Sequence, residues 1–166
     1  MPRNRTIPDE RIFAAIQRLL DEGGDKAVSF ATVSAATGLA PPTLVQRYGN
    51  RDGMVRAARV AAWDRLGQIT QDAITATEKK GPHALLKALA EADPASLIAD
   101  FRDPELAQRA IAWQATVESA LALRLGTGQK AREGAALLFA AWQGQLMWAR
   151  GTEPGFKLKD VVKRLT

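Results

Sequence analysis

Between Val28 and Asn50 the chain carries two glycine stops, Gly38 and Gly49, with the pair Pro41-Pro42 between them. Glycine ends helices because it accepts the left-handed conformation, and proline suits a first helical turn because its missing N–H has no partner there. The stretch is thereby confined to two short helices and a tight turn. Ser29 is the expected N-cap of the first, with Gly38 as its stop. Pro42 disfavours helical geometry at the residue before it, so the second helix is expected over Pro42 to Tyr48 with Pro41 as its cap. Phe30, Val33, Leu39, Leu44 and Tyr48 are placed to lock the pair together, and Thr43, Gln46 and Arg47 to point outward.

Helical periodicity continues on both sides. Ile12, Phe13, Ile16, Leu19 and Leu20 share one face of a helix running from about Pro8 to Glu22, halted by Gly23-Gly24. A long helix opens near Arg51 and extends towards Lys79, with Met54, Val55, Ala58, Ala62 and Leu66 inward, until Gly81-Pro82 breaks it. Further helices are expected at 83–92, 95–101, 104–125, 129–150 and 157–165. No alternation of β-branched residues marks a strand. The expected fold is all-α: a three-helix head with a helix-turn-helix over residues 1–50, then a helical body over 51–166.

The side-chain inventory removes several function classes. The chain has no cysteine, which excludes disulfides, thiolate-bound zinc and a cysteine nucleophile. Its one histidine, His83, follows Gly81-Pro82 at a turn, and there is no phosphate-cradling glycine loop, HExxH or Gly-x-Ser-x-Gly motif. No enzyme activity, cofactor or metal is expected. No apolar run approaches a membrane span and no signal peptide is evident, so a cytoplasmic protein without a membrane partner is expected. The net charge is +5, and residues 1–60 carry nine Lys/Arg against six Asp/Glu, which favours an anionic partner for the head.

Residues 28–55 resemble the DNA-binding segment of the TetR (tetracycline repressor) family. Val33-Ser34, Gly38-Leu39, Thr43-Leu44, Tyr48 and Arg51 match its pattern in register, as do the helix from Arg11 and its Gly23 stop. The likeness covers about residues 8–60; beyond them it concerns helix number and order. Four positions depart from it. Val45 stands where the family usually has a phosphate-contacting tyrosine, Ala40 where a capping serine is common, Pro42 where glycine is frequent, and Arg51 where lysine is usual. The resemblance implies a double-stranded DNA operator as partner. On it, Ser29 and Arg51 approach phosphates, and Thr43 meets a phosphate or a thymine methyl. Gln46 and Arg47 read bases, and Arg3 and Arg5 form an arm along the backbone or minor groove.

One recognition helix grips DNA weakly, and such proteins dimerise to place two of them in successive major grooves. Residues 104–125 and 129–150 are apolar on more than one side, and the family likeness implies a homodimer built on them. Leu121, Leu125, Leu138, Ala141 and Gln145 are its expected contacts. The resemblance also implies a small-molecule effector, with Trp63, Leu66, Trp113, Val117 and Trp142 as the expected wall of its site. The function implied is that of a repressor that releases a near-palindromic operator when a small hydrophobic ligand binds. The alternative is a helical protein-interaction module derived from such a regulator, with weak or lost DNA binding.

Overall fold

A computed structural model of the chain describes residues 7–92, 94, 101–148, 151, 153 and 155–165. Among the described residues the fold is all-α. The helices are α1 (Asp9–Gly23), α2 (Phe30–Thr37), α3 (Pro41–Tyr48), α4 (Arg51–Ala76), α5 (Pro82–Ala90), α6 (Pro104–Leu125), α7 (Gly128–Trp148) and α8 (Leu158–Leu165), with a short 3-10 turn over Asp25–Ala27. The chain divides into two compact units, Met1–Ala62 and Trp63–Thr166. The expected helix over 95–101 falls almost wholly outside the described residues.

The first unit is built around Ile12, Ile16, Val28, Val33, Leu44, Met54, Val55 and Ala58, with Phe13, Leu19, Leu20, Phe30, Leu39 and Tyr48 packed against them. Side chains three and four apart on α1 give the stripe that α2 covers. Gly38 ends α2 at φ 76, the left-handed cap that lets the chain turn at once into α3. Gly53 serves a different need. A Cβ there would lie 2.5 Å from the Tyr48 carbonyl oxygen, so only glycine lets the start of α4 pass this close to the end of α3.

One boundary differs from the sequence expectation. Helix α3 begins at Pro41, not Pro42, and its N-cap is Ala40 at φ −64, ψ 141. Both prolines fit inside the first turn, where no N–H is required, and the extended geometry imposed before a proline is taken up by Ala40.

In the second unit α6 and α7 pack along each other, and α5 and α8 complete the layer around them. Leu85, Leu86 and Leu89 of α5, Val117 and Leu121 of α6, and Leu138 of α7 are fully buried. Asp103 starts α6 by accepting hydrogen bonds from the N–H groups of Glu105 (2.9 Å) and Leu106 (3.3 Å). Among the described residues no helix is long and apolar enough to cross a membrane.

Candidate nucleic-acid interface

The helix pair α2–α3 is held by local chemistry on one side and by the core on the other. Ser29 and Thr32 form a reciprocal cap: Ser29 Oγ accepts from the Thr32 N–H at 3.1 Å, and the Ser29 N–H donates to Thr32 Oγ1 at 2.9 Å. The cap fixes the start of α2 and leaves its first N–H groups at the positive end of the helix dipole. Leu44 pins α3 from within, fully buried. Tyr48 closes the same face one turn later, its ring 6.0 Å from that of Phe13.

Three of the expected DNA contacts, Ser29, Arg47 and Arg51, have side-chain partners inside the chain. Arg47 donates through Nη1 to the Ile7 carbonyl at 2.8 Å and lies 3.4 Å from Asp9 Oδ1. The same carboxylate oxygen accepts from the Tyr48 hydroxyl at 2.5 Å. Burial raises the Tyr48 pKa well above its ordinary value, and the hydrogen bond to Asp9 and its charge add to this while Arg47 opposes it. Arg51 is more fully engaged. It donates through Nε to the Val28 carbonyl at 2.8 Å and through Nη1 to Asp52 at 2.9 Å. Its Nη2 reaches both the carbonyl and the carboxylate of Asp25. Its pKa is raised, first by the hydrogen bond to Asp25. Guanidinium has five donor hydrogens, so Arg51 keeps about one for a phosphate. It is chiefly a clamp between α4 and the turn after α1. Ser29 is half-buried in its cap, Thr43 is half-buried, and Gln46 is exposed. Arg3 and Arg5 lie outside the described residues.

Beyond the held Arg47, the exposed residues of α3 are Pro41, Pro42, Val45 and Gln46. Only Gln46 of these was expected from the sequence. Leu44 and Tyr48 are four apart and inward, which turns 42, 43 and 46 out and leaves 45 and 47 on the flanks. Asp9 and Asp25 were not foreseen as partners of Arg47 and Arg51. Separations of 38 and 26 residues leave no local signal.

In the second unit the three tryptophans of the expected ligand wall form one cluster. Trp113 stands 6.0 Å from Trp63, 5.7 Å from Phe139 and 6.3 Å from Trp142, ring centre to ring centre. Its indole N–H donates to the buried Thr70 hydroxyl at 2.8 Å. Leu66 and Val117 are buried as well. The five residues are thus buried core side chains, and Phe139 and Thr70 pack with the tryptophans among them.

The expected dimer contacts separate. Leu121 and Leu138 are fully buried within the chain's own core, so their side chains are not available to a second copy. The apolar stripes of α6 and α7 are wide enough to fill that core and leave a second face over, and these two residues lie on the inner one. Leu125, Ala141 and Gln145 are half-buried, and Gln145 donates to the Phe156 carbonyl at 2.8 Å. The exposed large apolar side chains of these helices are Ile111 and Leu123 of α6 and Leu137, Met147 and Trp148 of α7, each at least 60% exposed.

No protein-family model matches the chain, and no curated protein is significantly similar to it. Among solved structures, its fold is similar to that of the putative transcriptional regulator SCO7518 from Streptomyces coelicolor A3(2). The match has a TM-score of 0.62 at 16% identity and covers 94% of each chain. At this identity the likeness is one of fold along nearly the whole chain.

Proposed function

We propose that this protein is a dimeric, sequence-specific DNA-binding regulator of the tetracycline-repressor type, which docks α3 in the major groove. The observation that carries the reading is the α2–α3 pair itself. A capped helix and a glycine turn hold a second helix whose inner side is locked by Leu44 and whose outer side is bare. An α-helix presented in this way fits the major groove. The likeness in fold to a protein described as a transcriptional regulator agrees with it.

On this reading the N-terminus of α2, with Ser29, faces a phosphate. Thr43 and the remaining donor of Arg51 flank the groove, and Arg3 and Arg5 follow the backbone. Gln46 is the polar base reader. Dimerisation uses the exposed side of α7, where Leu137, Ala140, Ala141, Gly144 and Trp148 recur every three or four residues, together with Ile111 of α6. Small residues in that stripe permit close helix approach. Release of DNA by a hydrophobic effector would act through the Trp63, Trp113 and Trp142 cluster, whose rings a ligand has to part. Quenching of tryptophan fluorescence by such a ligand, with loss of bound DNA, is the corresponding readout.

One observation favours the interaction-module alternative: Arg47 and Arg51, two cations of the head, are spent on Asp9 and Asp25. Selection from a random duplex library separates the two. The regulator reading expects a near-palindromic motif with half-sites about one helical turn apart. A folded protein that enriches no motif refutes it.

A further inference from the structure

The base-reading face of α3 can be defined by elimination. Leu44 is in the core, Tyr48 is hydrogen-bonded to Asp9, and Arg47 is fastened to the Ile7 carbonyl and Asp9. Of the other exposed residues of α3, Pro42, Val45 and Gln46 stand at positions i, i+3 and i+4 and form one contiguous patch, with Thr43 half-buried. Two of the three are hydrocarbon. Val45 is 43% exposed, and a branched apolar residue there contributes nothing to helix propensity or to the core. The cation best suited to guanine, Arg47, is exposed but held through Nη1 by the Ile7 carbonyl and Asp9.

Thymine's C5 methyl is the hydrocarbon group that the base pairs of unmodified DNA display in the major groove, and glutamine pairs bidentately with the N6 and N7 of adenine. We infer that α3 reads an A·T-rich half-site, with Val45 and Pro42 covering thymine 5-methyl groups and Gln46 holding a neighbouring adenine. The inference rests on the DNA-binding reading and specifies what that site recognises. It makes Val45 the specificity-determining residue: its side chain discriminates by the presence of a methyl group, not by hydrogen bonding.

Replacing thymine by deoxyuridine in the enriched operator tests this, because it removes the methyl and leaves the hydrogen-bonding edges intact. Burial of one methyl group corresponds to about fourfold in Kd, so two symmetry-related substitutions should weaken binding about fifteenfold. Val45→Ala should weaken binding to the thymine operator by a similar factor and leave binding to the deoxyuridine operator nearly unchanged. The two losses then fail to add, as expected for groups in contact. Val45 lies on the surface, and unchanged helical circular dichroism of the variant checks the fold. Equal affinity for both operators overturns the inference, as does an equal Val45→Ala loss on both, or an enriched half-site without thymine; in each case DNA binding itself stands. A chain that enriches no duplex refutes the DNA-binding reading and, with it, this inference.

Discussion

At the scale of single residues, the head is organised by two acids. Asp9 gathers Arg47 and Tyr48, and Asp25 gathers Arg51 and Arg59. Tyr48 is the one tyrosine of the chain, so its titration is directly visible in the ultraviolet absorbance of tyrosinate. Its folded pKa is raised above the ordinary 10.0, so the folded state holds this proton more tightly than the unfolded state. The stability it contributes is complete below about pH 10 and is lost as pH rises beyond that value. Tyrosinate absorbance should therefore stay absent through pH 10 in the folded protein, and Asp9→Asn should shift its onset to lower pH. Arg51→Ala strands the Val28 and Asp25 carbonyls without their charged donor. It should cost about 2 kcal/mol, seen as a lower midpoint in thermal unfolding. A purely phosphate-binding Arg51 would leave that midpoint unmoved.

At the scale of elements, capping and breaking residues account for the helices better than propensity does. Ser29→Ala removes the side-chain half of the α2 cap and should destabilise the protein by about 1 kcal/mol in denaturant unfolding. Gly53→Ala should cost more, because the added methyl meets a backbone carbonyl that cannot move without shifting the end of α3. Most helices were legible from residues of this kind. Gly38, Gly49, Pro82 and Pro104 act within one turn of their own position, so sequence alone reveals them. The start of α3 was misplaced by one residue because two rules applied to Pro41 and the first-turn preference prevailed. The candidate site was less legible. Which side of α3 faces out follows from spacing, but whether Arg47 is available to DNA depends on Asp9 at the far end of another helix. For the same reason Leu121 and Leu138 could not be told from the outer residues of equally apolar helices. A stripe wider than one face does not tell which of its residues lie on the inner side.

At the scale of the whole molecule, the DNA-binding reading assigns a partner to the exposed apolar side of α7. Leu137 and Trp148 are 62% and 65% exposed, and a second copy of the same surface is the partner the DNA-binding reading demands. Leu137→Glu should yield a monomer by sedimentation, with its helical content intact, and should lose operator affinity. A net charge of +5 favours any polyanion, so binding to a duplex alone would decide nothing. The decisive quantity is the ratio between a selected palindrome and a scrambled duplex of the same length and salt. Titration of both should show two protomers per palindrome and a preference of about a thousandfold or more. Equal affinity for the two duplexes, at any stoichiometry, contradicts the claim that α3 reads sequence.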